Sequence, residues 1–89
     1  MNNSKDQLEE CKSYYSNGKL EYHYYCNKNG LREGVYKSYY HYSGKLGYHC
    51  YYKNGIIEGE CKSYHSNGKL GYHCYYKNHL REGEHILYE

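Results

Sequence analysis

The sequence predicts an all-β chain: an elongated, single-layer antiparallel meander of about seven strands. Three observations carry this. A tyrosine-rich phrase is written three times, turn signals recur every 11 to 14 residues, and the segments between them are five to eight residues long. Turns so closely spaced leave no room for a helix of ordinary length.

The opening residues, 1–9, read as a short N-terminal extension, and 10–89 as one repeat domain. Its copies start at Lys12, Lys37 and Lys62, 25 residues apart. The first carries an extra residue near Cys26-Asn27 and the second one near His41-Tyr42, so the underlying period is 24. The units span about 10–33, 34–58 and 59–82, with a partial fourth at 83–89. Strands are expected at roughly 10–16, 20–27, 34–42, 46–53, 59–65, 70–77 and 83–88.

Each unit holds two turns. The first is Asn17-Gly18, Ser43-Gly44 or Asn67-Gly68, and the second Asn29-Gly30, Asn54-Gly55 or Asn78-His79. Asn-Gly marks tight hairpins because both residues tolerate positive φ. Gly34, Gly59 and Gly83 follow the second turn, where a bulge or a close backbone approach is expected. His79 replaces glycine at the third copy, so that corner should be more strained or differently shaped.

Period-two alternation sorts the faces. Leu46, Tyr48, Cys50 and Tyr52 share one, matched by Leu70, Tyr72, Cys74 and Tyr76 and by Leu20, Tyr22 and Tyr24. The opposite face carries His23, Tyr25, His49, Tyr51, His73 and Tyr75. The core is thus a Leu/Tyr/Cys ladder. With 17 Tyr and no Phe or Trp, tyrosine must supply most of the apolar area, and each buried phenol needs a hydrogen-bond partner or an outlet to water. That favours a thin sheet with half-covered rings.

At this point the pattern is recognisable. The phrase Y-x-N-G-K-L, followed by Y-x-x-Y-Y-K-N-G-x-x-E-G-E, resembles MORN repeats over about residues 10–89, closest to the variant of YwqK-type antitoxin-like proteins. The resemblance implies an elongated one-layered sheet used for protein–protein contact, with dimerisation of repeat arrays common and association with phospholipid membranes reported for some members. It carries over no catalytic residue. The Asn78-His79 turn and the two one-residue insertions depart from the pattern.

The residues suggest little chemistry beyond this. His49-Cys50 and His73-Cys74 invite a zinc site, but adjacent strand residues point to opposite faces, and equivalent positions two strands apart stand roughly 9.6 Å from each other. No metal, cofactor or catalytic site is expected, since repetition marks a scaffold and catalysis needs one asymmetric pocket. An odd count of five Cys without an export signal reads as free thiols. Cys50 and Cys61 would face each other only if their loop centres between Gly55 and Ile56.

A net charge of +2, from 12 basic and 10 acidic residues, argues against nucleic acid as a partner. Seven His would raise it to about +9 near pH 5. Lysines near turns (Lys19, Lys45, Lys69; Lys28, Lys53, Lys77) line both long edges, blunted by Glu33, Glu58 and Glu82, which leaves a weak case for a membrane surface. The opening segment has no apolar stretch, and no apolar run approaches a membrane span, so an intracellular, cytoplasmic location is expected. The expected role is a non-enzymatic interaction module that binds a protein partner or itself. The last segment, GEHILYE, is the most apolar strand, and Ile86, Leu87 and Tyr88 are its candidate interface for a homodimer. An antitoxin-like role differs only in the partner.

Overall fold

Tyrosine-rich segments separated by asparagine and glycine build only one kind of element here. In the computed structural model, residues 8–78 and 80–87 are described, residues 81–87 by backbone alone. The strands are β1 (Glu9–Tyr14), β2 (Leu20–Cys26), β3 (Arg32–Tyr39), β4 (Leu46–Lys53), β5 (Ile56–Ile57), β6 (Gly59–Tyr64), β7 (Leu70–Lys77) and β8 (Leu80–Leu87). Each long strand pairs antiparallel with the next, in the order β1-β2-β3-β4-β6-β7-β8, and the two-residue β5 pairs with β4. The sheet is an open meander. The molecule is 16 Å deep in its thinnest direction, too shallow for two sheets stacked about 10 Å apart with side chains outside them.

Strands β1 and β3 end earlier than expected, at Tyr14 and Tyr39, where the turns begin, and two strands start early for a shared reason. β3 starts at Arg32 and β8 at Leu80, each ahead of the glycine expected to open the strand. Pairing resumes straight after the turn, and Gly34 is then passed inside β3 with φ 88°. Gly59 has φ 86° and follows the break between β5 and β6, so the strand expected at 59–65 is entered through a short irregular piece. Gly83 lies within β8. His79, Tyr88 and the first seven residues lie outside the described residues.

The turns explain both insertions. Asn54 (φ 49°) and Gly55 (φ 81°) link Lys53 to its partner Ile56 as a two-residue loop with both central residues left-handed. Asn78 (φ 54°) begins the corresponding loop between Lys77 and Leu80. The first unit's equivalent is longer: Gly30 N donates to Asn27 O and Asn27 N to Leu31 O, a three-residue loop. The Asn17-Gly18 and Asn67-Gly68 turns use this three-residue form, with the Asn17 side chain accepting from Lys19 N and Asn67 from Lys69 N, each at 2.9 Å. At Ser43-Gly44 the loop grows to four residues, closed by Tyr40 N to Lys45 O. Each extra residue is absorbed by its loop, and the strand pairing is left alone.

Successive hairpins are also hooked together at their turns. Tyr15 donates its hydroxyl to Tyr39 O, and Tyr40 donates to Tyr64 O. Asn17 Nδ2 reaches His41 O (3.0 Å), Lys19 Nζ reaches Tyr42 O (2.6 Å) and Lys45 Nζ reaches Asn67 O (3.4 Å). At the opposite ends of the strands, Glu33 accepts from Asn54 N (2.8 Å) and Glu58 from Asn78 N (3.0 Å). Gly47 matters here because the Tyr40 ring lies over it: a Cβ at that position would stand 3.1 Å from the ring.

The core is one residue deep. Among the described residues only Cys50 (0% exposed), Cys61 (1%) and Cys74 (0%) are fully buried, covered by Tyr36, Tyr48, Tyr52, Ile57, Tyr72 and Tyr76. Small thiols sit against the backbone while larger rings lean over them. Side-chain area is thereby buried without a second layer.

Candidate functional site

Register places the predicted residues on two faces with different chemistry. On the tyrosine face, one row runs Ser13, Tyr22, Ser38, Tyr48 through directly opposed positions, and Ser63 and Tyr72 continue it. Beside it runs Cys11, Tyr24, Tyr36, Cys50, with Cys61 and Cys74 opposed to each other further on. Of the predicted ladder, Cys50, Cys74, Tyr48, Tyr52, Tyr72 and Tyr76 meet in the cysteine-centred core, whereas Leu20, Leu46 and Leu70 sit half-buried at strand starts. Cys61, Tyr36 and Arg32 belong to the same face and were not in that ladder. The Arg32 guanidinium lies 5.0, 4.8 and 5.3 Å from the ring centres of Tyr24, Tyr36 and Tyr52. A cation enclosed by three rings is held by their negative faces.

The thiols form a graded set. The pairing of Tyr48 with Ser63 and of His49 with Lys62 sets a register in which Cys50 falls opposite Cys61. All five cysteines are free. Cys50 is pushed up, first by its hydrogen bond to Cys61 and then by burial. Cys61 is pulled down, chiefly by the Cys50 thiol and further by Tyr48 and Cys74, against the effect of burial. The Cys61 Sγ and Tyr48 hydroxyl stand 3.2 Å apart, and burial with that bond raises the Tyr48 phenol. Cys61 is nonetheless sealed from solvent, so a reactant has no path to it. Nearer the β1 edge, Cys11 and Cys26 are half-exposed with their sulfurs 3.9 Å apart.

The opposite face carries a row that crosses six strands. Lys12 is paired with His23, His23 with Lys37, Lys37 with His49, His49 with Lys62, and Lys62 with His73. His49 and Cys50 are thus split between faces. Two carboxylates stitch the ends of the row. Glu10 Oε2 lies 2.7 Å from His23 Nε2 and 3.8 Å from Lys12 Nζ. Glu60 Oε2 repeats this at 2.9 Å from His73 Nε2 and 3.8 Å from Lys62 Nζ. Each histidine stacks beside a tyrosine, with His23–Tyr25, His49–Tyr51 and His73–Tyr75 ring centres 5.2, 5.3 and 5.2 Å apart. Tyr51 (38% exposed) and Tyr75 (49%) are open to solvent.

Sequence reasoning placed the histidines on this face but missed the lysines between them. The signal was present: Lys12, Lys37 and Lys62 recur every 25 residues, each two residues after Glu10, Val35 or Glu60, and register makes these lysines neighbours of the histidines.

Among the described residues, no three His, Cys, Asp or Glu side chains converge as metal ligands, and no helix is long and apolar enough to cross a membrane. A shallow open depression of roughly 630 Å³ lies between Leu8, Asn27–Asn29, Glu33 and Asn54. Glu33 is occupied there by Asn54 N and Asn27 Nδ2. No protein-family model, curated protein or solved structure matches the chain.

Proposed function

We propose that the chain is a MORN-type interaction module that binds a protein partner and associates with itself, with no catalytic role. The carrying observation is an open one-layer sheet that ends in two strands, β1 and β8, with no further strand beside either among the described residues. Unpaired N–H and C=O groups at such an edge template the addition of another strand. Ile86 and Leu87 lie in β8, opposite His73 and Tyr72 on β7, so β8 offers the more apolar edge. A toxin-like protein would be a partner of the same kind. The membrane reading is weaker, because Lys19 and Lys45 direct their ammonium groups to turn carbonyls.

The mass in solution tests this. Size-exclusion chromatography with light scattering should give a dimer for the native chain and a monomer after Ile86→Lys with Leu87→Lys. A native monomer, or a dimer that persists unchanged in the variant, overturns the β8 contact.

A further inference from the structure

The Lys–His row contains one gap. At its two ends a carboxylate sits one register step away and holds a lysine and a histidine together, Glu10 for Lys12 and His23 and Glu60 for Lys62 and His73. The two sets agree closely in geometry, which shows that a carboxylate is the group this Lys–His pairing accepts. In the middle of the sheet the position is Val35, directly opposite Tyr51. Lys37 and His49 are therefore paired with each other with no carboxylate of their own. Among the described residues Lys37 has no ion-pair partner. On its far side His49 meets Lys62, whose ammonium is already shared with Glu60.

We propose that the gap between Lys37, His49 and Lys62 is a docking site for a single carboxylate presented by a partner protein, an Asp or Glu side chain set among apolar residues. This deepens the interaction-module reading and rests on it. Three features select that ligand. The position is bordered by the Val35 side chain and the exposed Tyr51 ring, which suit an apolar flank around the incoming acid. Glu10 on β1 and Glu60 on β6 flank Val35 two strands away on either side, so a nucleic-acid strand or a flat anionic membrane lying across the strands meets both carboxylates, whereas a single carboxylate seated at Val35 stands between them. The third is the charge around His49. The charged groups around His49 are Lys37 on β3 and Lys62 with Glu60 on β6. Burial, Lys37 and Lys62 lower its pKa, with Glu60 opposing, so the imidazole resists the proton that a bound carboxylate would stabilise.

The test uses Val35→Glu, which places in the middle of the sheet the residue found at both ends, with Val35→Gln as a neutral variant of the same shape. The probe is a blocked Gly-Glu-Gly peptide at low ionic strength and pH 6, followed by amide and histidine ring NMR shifts. The expected result is a saturable shift centred on Lys37, His49 and Lys62, absent for the matching Gln peptide. Val35→Gln keeps it, and Val35→Glu weakens it by at least about tenfold, the change that about 1.4 kcal/mol produces. Without any peptide, the His49 ring should titrate at higher pH in Val35→Glu than in the native chain, and Val35→Gln should leave it in place. Equal peptide binding by Val35→Glu, equal shifts from the Gln peptide, or no saturable shift overturns the proposal. So does tighter binding of oligothymidylate, inorganic phosphate or phosphatidylserine vesicles at the same residues, which would assign the site to phosphate. A failure here with the β8 dimer intact refutes the carboxylate site alone, because the mass measurement does not depend on Val35.

Discussion

Tyr40 offers the clearest measurement of what joins one hairpin to the next. Its hydroxyl donates to Tyr64 O across to the following hairpin, and its ring lies half-buried over Gly47. Tyr40→Phe removes only the hydrogen bond, a net loss of about 1 kcal/mol. For a domain of this size that lowers the melting temperature by roughly 4–8 °C. Tyr40→Ala also removes the ring. Half of an aromatic's ~200 Å² withdrawn from water is worth about 2.5 kcal/mol at 25 cal/mol/Å². The total of about 3.5 kcal/mol corresponds to a drop of roughly 14–28 °C. Tyr15→Phe should match Tyr40→Phe, because Tyr15 makes the same bond to Tyr39 O one hairpin earlier. Far-UV circular dichroism melts decide the matter. A Tyr40→Phe chain that melts with the native one shows that the hydroxyl joins nothing of consequence, and equal melts for Phe and Ala remove the ring from the argument.

The buried thiols should report global opening: Cys50, Cys61 and Cys74 should resist iodoacetamide in the native chain while half-exposed Cys11 and Cys26 react, as peptide mass mapping would show. Uniform labelling of all five would contradict a thiol core. Stability should also fall on mild acidification. Burial with Lys37 and Lys62 holds folded His49 below its unfolded value of about 6.5, so the unfolded chain takes up a proton first as pH falls through that value. Urea midpoints should decline from pH 7 toward pH 5, and less steeply after His49→Gln. An identical slope in both would place the acid sensitivity elsewhere.

Much of the architecture was legible because tyrosine strands and asparagine–glycine turns alternate so regularly. Strand β4 is found where the alternation of Leu46, Tyr48, Cys50 and Tyr52 put it, and β7 likewise. Turn identity was less legible. Asn17-Gly18 and Asn54-Gly55 are the same dipeptide, but the first closes a three-residue loop and the second a two-residue one. Loop length depends on where pairing stops, which a dipeptide does not encode. The core was only half visible. Cys61 lies in a strand written Glu-Cys-Lys-Ser-Tyr, with no apolar residue beside it in sequence, and its partners Cys50, Tyr48 and Cys74 come from the strands on either side. Arg32 was missed for a similar reason, since its three rings arrive from β2, β3 and β4. The Lys–His row needed register as well as alternation.

The nearest-neighbour order of the sheet has a consequence for how the chain is made. Each long strand finds its partner in the segment just synthesised or just about to be, so no pairing waits for a distant part of the polypeptide. A hairpin leaving the ribosome can form at once, and the Tyr15 and Tyr40 hooks give the next one a place to land. Growth of this kind is close to one-dimensional, with each addition stabilised by the piece before it. Strand β8 then joins a surface already complete on one side.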